Sequence, residues 1–308
     1  MESPLVTVSV ITYKSAETVL ETLDSIYAQT YPSIELVVSD DCSPDNTVAI
    51  CRQWIADHKN RFTDCRIIES DRNTGITANC NRAISDIKGD YLKLLAGDDL
   101  LEPDAICEFV SYMQANPDAL YVFCKIGVFG NDKEKVDHLI NSVINYSFFS
   151  LNKKEQYLLL IGHHNASIPA PSVFINAKGA KEAGVLFYDE RIPMLEDWPK
   201  WIELSSKGIE FHFIDKQLVR YRIGDNSAST GEHYRKAFNK SLALLYRHYQ
   251  FKPTIRHFGL LHAMIIYINK MALYNGHSVW GVLNRIVIST INVRNTIRKA
   301  LSHRKTHI

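Results

Sequence analysis

Across the first 125 positions the apolar residues follow two alternating periods. Short runs of strand length cover 6–11, 35–38, 65–68, 91–95 and 120–123. Between them, 16–28, 44–58, 76–87 and 103–115 carry apolar residues three and four apart, the helical spacing. Strands that read as continuous Val/Ile/Leu runs are covered on both faces, so the pattern predicts an α/β fold with a mostly parallel sheet between helical layers. Ser43-Pro44 reads as a helix cap followed by proline at the first helical position, and Pro103 can open a helix in the same way. Beyond 125 the pattern loosens. It predicts a polar connection over 125–152, a short helix over 153–161, a strand within IPAPSVFINA and a helix that stops at Gly208. Two more strand runs follow at 210–214 and 217–221, then a tail that is helical from His233.

In such sheets ligands bind outside the carboxyl ends of the strands. Acidic residues gather there: the second strand runs into Asp40-Asp41 and the fourth into Asp98-Asp99. Two carboxylate pairs at one sheet edge repel unless a cation or hydrogen-bond donors lie between them, and a hard divalent ion with oxygen ligands is the natural candidate. The first strand ends on Thr12 beside the same edge.

Four segments in this order resemble the family-2 glycosyltransferases: VSVITYKSAETVLETLDSIYAQTYPSIELVVSDDCSPDNT, NTGITANCNRAISDIKGDYLKLLAGDD, LEDWPKW and YRIGDNSAS. The resemblance spans about residues 5–230 and implies a GT-A fold, a Rossmann-like sheet that binds a nucleotide-sugar. It implies that Asp41 accepts the imide N–H of a uracil or thymine ring, with Thr12 lining the same pocket. It gives the divalent ion, Mn²⁺ or Mg²⁺, to Asp99, and the ribose or the ion's outer shell to Asp98. Asp197, after Glu196 at the head of a helix, takes the place of the base that an inverting transferase needs to deprotonate the acceptor hydroxyl. Trp198 and Trp201 either stack on an acceptor sugar or form a core-facing helix stripe, the commoner reading of their spacing, and Ala170-Pro171-Ser172 is a candidate acceptor wall.

The chain departs from the family pattern twice. The arginine expected to hold the diphosphate is replaced by Cys80; Arg82 is displaced by about 200° on a helix, so it either reaches the diphosphate from another angle or is a solvated helix residue. The histidine of the YR-x-H region is missing, with Gly224-Asp225 in its place; Asp225 either joins the metal shell or forms a loop turn. His163-His164 lack a third ligand at metal spacing and read as surface residues.

Composition alters this picture at the C-terminal end. The net charge of +1 conceals a segregation: no Asp or Glu follows Glu232, whereas 13 of the 35 Lys and Arg do, leaving 22 against 34 acidic residues before it. Residues 1–232 therefore read as a transferase domain, with a nucleotide-binding half at 1–125 and an acceptor half at 126–232. Residues 233–308 read as a basic helical extension. Within that tail the longest run free of Lys and Arg, 271–284, is too short to span a membrane. A basic amphipathic surface suits an anionic leaflet, packing on the acidic domain is the plain alternative, and no motif supports nucleic acid. The N-terminus lacks the features of a signal peptide, and six unpaired-looking cysteines suit a reducing compartment, so a cytoplasmic, peripherally membrane-bound protein is expected. The function so read is metal-dependent, inverting transfer of a sugar from a nucleotide-sugar to a glycan or lipid-linked saccharide. The rivals are a non-catalytic nucleotide-sugar-binding module and a nucleotidylyltransferase, which would want a glycine-rich loop after the first strand where TYKSAETV has none. A dehydrogenase is excluded because no GxGxxG follows an early strand.

Overall fold

The computed structural model describes residues 3–140, 144, 146–162, 168–224 and 235–274. Its N-terminal half alternates as β1 (Val6–Thr12), α1 (Val19–Tyr27), β2 (Ile34–Asp40), α2 (Thr47–His58), β3 (Asp64–Glu69), α3 (Ile76–Ile84), β4 (Tyr91–Ala96), β5 (Leu100–Leu101), α4 (Ala105–Ala115) and β6 (Tyr121–Gly130). There follow α5 (Lys133–His138), α6 (Lys153–Ile161), β7 (Phe174–Asn176), α7 (Ala177–Glu182), α8 (Asp197–Ser206), β8 (Phe211–Ile223), α9 (Arg235–Leu245), α10 (Phe251–Phe258) and α11 (Leu260–Tyr274). The eight strands form one sheet in the order β3-β2-β1-β4-β7-β6-β8-β5. The pairs β1–β2, β2–β3, β1–β4 and β6–β8 are parallel, while β7 and β5 pair antiparallel with their neighbours.

The register explains why the site forms where it does. Thr12 pairs with Asp40, and Ile11 with Ala96, so β1, β2 and β4 end level and their following residues emerge together. β1 (VTVSVIT) sorts its faces by size and polarity. Val6, Val8 and Val10 enter the core made with α1, α2 and α4, whereas Ser9 on the opposite face donates to the Ala83 carbonyl of α3 at 3.0 Å. The second core lies between β4, β6, β7 and α3, α6, α7 and α8, and includes Leu92, Phe123 and Trp201. The sheet buries polar groups only with partners: Glu35, fully enclosed, takes Thr7, Arg66 and the Lys88 N–H.

Three local expectations need correction. α2 starts at Thr47 rather than Pro44; Asp45 accepts the Thr47 N–H, while the Ser43 N–H and hydroxyl both turn back to Asp40. The two strand runs at 210–214 and 217–221 are one strand, β8, whose ladder to β6 skips from Ile214 to Gln217 through exposed Asp215 and Lys216, the behaviour of a bulge. The polar connection after 125 includes regular elements, since β6 continues to Gly130 and α5 follows. Of the tail, α9 and the turn at 246–250 after it pack on the rest of the chain, and α11 packs on α9 and α10. Leu245 joins the second core, Gln250 donates to the Leu160 carbonyl at 2.9 Å and Tyr249 to Asp189 at 2.7 Å. Among the described residues no helix is long and apolar enough to cross a membrane.

Candidate active site

At the level ends of β1, β2 and β4 a cavity of about 480 Å³ opens. Thr12, Asp41, Asp98, Asp99, Glu196 and Asp197 all line it; Arg82 does not. Three segments far apart in sequence therefore deliver their carboxylates to one space, with Thr12 from a fourth.

The Asp40–Asp41 turn is held by donors. Asp40 accepts the Thr12 hydroxyl at 2.8 Å and both groups of Ser43, and the Asp41 N–H donates to the Thr12 carbonyl at 3.0 Å. Cys42 follows at φ +63°, a left-handed conformation that costs a residue with a side chain roughly 1 kcal/mol. Asp41 is 2% exposed. Its Oδ2 accepts the N–H groups of Thr74 at 2.9 Å and Gly75 at 2.8 Å, and its Oδ1 accepts the Thr74 hydroxyl at 2.6 Å and Arg82 at 3.2 Å. A carboxylate has about four acceptor positions, and here four donors use them. Arg82 is spent in the same knot, donating also to Thr74, Asn79 and the Asp40 carbonyl. Gly75 is required: its φ is +91°, and a Cβ there would sit 3.0 Å from the Pro193 carbonyl oxygen.

Asp98 and Asp99 leave β4 through Gly97, whose N–H donates to the Ile11 carbonyl at 2.9 Å. A Cβ at Gly97 would meet Thr12 Cγ2 at 2.8 Å, so only glycine lets the acidic turn lie against the end of β1. Asp99 is 1% exposed and accepts the Arg222 N–H at 2.9 Å, while the Arg222 side chain donates to the Asp98 carbonyl at 2.9 Å and pairs with Glu21 at 2.7 Å. Asp98 is the more open of the two. Burial raises both carboxyls above the ordinary range; the charge of Asp98 adds to the rise at Asp99, and Arg222 opposes it at both. Such a pair gains by sharing a cation. Its donors are hard oxygens, which fit Mg²⁺ or Mn²⁺, and among the described residues no group of three or more His, Cys, Asp or Glu is placed to bind a metal. The rest of the coordination shell would come from substrate and water.

Asp197 is the first residue of α8, with Glu196 at the cap position. The loop that presents them is tied down on both sides: the Thr77 N–H and hydroxyl of α3 donate to the carbonyls of Pro193 (3.1 Å) and Ile192 (2.6 Å), and the Met194 N–H donates to Ser241 of α9 at 3.2 Å. Asp197 Oδ1 accepts the Trp198 N–H at 2.7 Å. Both carboxyls are raised by burial, and the charge of Asp197 raises Glu196 further; the backbone N–H groups only partly offset the effect at Asp197. Cys80, fully buried on α3, lines the cavity; burial pushes its thiol up, and the charges of Glu196 and Asp197 add to the rise.

Of the lesser candidates, Ala170 and Pro171 line the cavity, Trp201 is a core residue, and Trp198 donates to the Leu160 carbonyl at 3.0 Å. Asp225, His163 and His164 lie outside the described residues, as does the tail after 274. Sequence reasoning missed Thr74 and Asn79, which complete the Asp41 knot, and Phe238 of α9, which lines the cavity from the C-terminal extension. It also passed over Lys93. Enclosed in the sheet, this lysine donates to the carbonyls of Pro171 and Val173 and so anchors the wall at Pro169–Pro171. Its signal was present: a single cation inside the apolar run YLKLLA.

Comparison with known proteins agrees with this geometry. The glycosyl transferase family 2 model matches residues 7–170. The Escherichia coli UDP-Glc:α-D-GlcNAc-diphosphoundecaprenol β-1,3-glucosyltransferase WfaP is 26% identical over 230 residues, which cover 74% of this chain and 81% of the relative. Among solved structures, residues 1–349 of TarS from S. aureus in complex with UDP-GlcNAc align with a TM-score of 0.59 at 16% identity, covering 90% of this chain and 74% of that one. The mannosyltransferase PcManGT from Pyrobaculum calidifontis, in complex with GDP-Man and Mn²⁺, aligns at 0.58 and 17%, covering 99% and 84%. The sheet, the acidic cavity at its edge and the family match together place this chain in glycosyl transferase family 2, as a glycosyltransferase with the GT-A fold.

Proposed function

We propose that the enzyme transfers a sugar, with inversion, from a UDP-sugar to a hydroxyl of a growing cell-surface glycan, in a reaction that depends on a divalent cation. The observation that carries this reading is that one cavity joins the Asp98–Asp99 pair to Asp197. Asp197 accepts the proton of the acceptor hydroxyl as that oxygen bonds to the anomeric carbon and the bond from that carbon to the diphosphate oxygen breaks on the opposite face. Its seat in the first turn of α8 and its bond from Trp198 hold the carboxylate in place, and its raised affinity for protons makes it a stronger base than an exposed aspartate. Asp98 and Asp99 hold the cation, Asp99 with the oxygen that Arg222 leaves free. When bound there, the cation neutralises the charge that develops on the leaving diphosphate. Thr12 lines the base side. Asp41 acts on the base mainly by shaping the Asn73–Gly75 loop; an imide N–H would have to replace Arg82, the longest of its four contacts.

A lipid-linked saccharide is the proposed acceptor, held at the inner face of the membrane. Three features support this: the relative that acts on a diphosphoundecaprenol-linked sugar, the apolar cavity wall of Ile126, Leu139, Ile144 and Met194, and the exposed Leu260, Leu261, Met264 and Ile268 on α11 in an acid-free tail. Calorimetry of UDP binding with Mn²⁺ or Mg²⁺ and then with chelator, in wild type and in Asp98→Ala and Asp99→Ala, tests the donor site. Cation-dependent binding lost in the variants is the expected result. Equal binding with chelator present would remove the cation from the scheme, and no UDP binding at all would replace uridine by another base.

A further inference from the structure

A second concave site lies at the far end of α8 from Asp197. It is a groove of about 550 Å³ between the start of α6, the last turn of α8 and α10, and it shares no lining residue with the transfer cavity. Eight residues of helix, about 12 Å, separate Asp197 from Ser205 on its wall. Lys153, Lys154, Lys252, Arg256 and His257 line it, with the Tyr157 ring against His257 at 6.0 Å between centroids.

Cations near a helix C-terminus have an ordinary explanation, since they complement its partial negative charge. Lys153 fits it: its Nζ donates to the Gly208 carbonyl at 3.1 Å and lies 3.7 Å from Glu210. The other three full cations do not. Among the described residues no carboxylate pairs with Lys154, Lys252 or Arg256, and α10 belongs to a tail in which no acidic residue follows Glu232. A concave wall focuses such uncompensated charge and raises the local concentration of anions. Ser205 and Ser206, in the last turn of α8, form the wall beside these cations.

We propose that this groove binds a phosphate group, carried by an anionic lipid or by a soluble phosphate compound. Lys154, Lys252 and Arg256 supply charge-assisted hydrogen bonds. The site is separate from donor binding and lets the enzyme sense or hold an anionic partner while the transfer cavity works.

The full chain and a Lys252→Gln/Arg256→Gln double variant test it. Both side chains are exposed, so the fold should survive, which thermal melting by circular dichroism checks. Inorganic pyrophosphate is titrated by calorimetry with chelator present, so that the Asp98–Asp99 pair contributes nothing through a metal. In parallel, phosphatidylglycerol and phosphatidylcholine vesicles are sedimented with the protein. The expected result is at least about a tenfold weaker affinity of the double variant. Weakening for both anions means that the phosphate itself is recognised; weakening for vesicles alone identifies a lipid headgroup, and for pyrophosphate alone a soluble ligand. If wild type binds neither anion, or the double variant binds both as wild type does, the proposal is wrong. Cation-dependent UDP binding, measured beside these, should be equal in the two proteins; its absence from both would count against the donor site and not against the groove.

Discussion

With Asp197 as the proposed base, the acid limb of the transfer reaction follows from its surroundings. Burial pushes this carboxyl from its ordinary 3.8 up to about 6, and the Trp198 N–H recovers only part of the loss. A base must be deprotonated to act, so the rate follows the ionised fraction. With a value of about 6, roughly one tenth of the enzyme is competent at pH 5 and nine tenths at pH 7, a rise of about tenfold in kcat. An exposed aspartate would already be more than nine tenths ionised at pH 5, and the rate would rise by only about 6%. The assay is initial-rate transfer between pH 5 and 7.5 at saturating donor and cation, with the donor KM followed over the same range, because Asp98 and Asp99 are also raised by burial. The sugar diphosphate linkage has no group that titrates in this window. Asp197→Asn should lower kcat by about 10²–10⁴ with donor affinity nearly unchanged, because the base acts in the transition state. A kcat flat from pH 5 to 7 in wild type would refute the buried-base reasoning. An Asp197→Asn enzyme with normal turnover would remove the residue from the mechanism altogether.

Other expectations concern the supports of the cavity. Asp41→Asn should destabilise the protein by about 3 kcal/mol in urea unfolding, since an amide nitrogen would face existing donors and leave Arg82 without its charge; a loss below about 1 kcal/mol would mean that the four-donor knot is not what holds the loop. Gly75→Ala should cost about 1–3 kcal/mol and weaken donor binding, because it combines a positive φ with a contact on the Pro193 carbonyl. Lys93 offers a test by pH. Desolvation lowers its amine to about 8 against an ordinary 10.5, so the unfolded chain binds the extra proton between these values and stability must rise with pH there. Relative to Lys93→Met, the wild type should gain about 2 kcal/mol between pH 7 and 9.5. Taking the difference cancels the buried tyrosines and cysteines, which titrate in the opposite sense; a difference independent of pH would show that the buried amine keeps its proton as the unfolded chain does, and that desolvation does not lower it.

The N-terminal half was readable in advance because β1, β2 and β4 carry runs dominated by apolar residues between segments of helical period, whereas β3 (DCRIIE), only half-buried, gives the weakest run. The level edge was readable too, since the strand ends announce their aspartates. β8 was harder: Asp215 and Lys216 interrupt its apolar run, and a bulge inside one strand has the same local pattern as a turn between two. α2 was placed three residues early because Ser43 has the chemistry of a cap but spends it on Asp40, a partner that the turn geometry brings within reach. Phe238 had no local signal at all, because its place at the cavity depends on how α9 folds back over Met194.

What sequence could not supply was the state of each carboxylate. Asp41 and Asp197 are the same residue type at the same cavity, and sequence reading gave both a substrate contact. The structure surrounds Asp41 with four donors, two of them backbone N–H groups from a loop 33 residues away, whereas Asp197 receives the Trp198 N–H and faces buried Glu196 and Cys80. Donors favour the ionised form and burial among acidic neighbours disfavours it. Asp41 is therefore a support that organises backbone, and Asp197 is the carboxylate whose surroundings suit the proposed base. That division of labour rests on contacts between segments that no periodicity connects, and it is why exchanging the two environments, rather than the two residues, would exchange their roles.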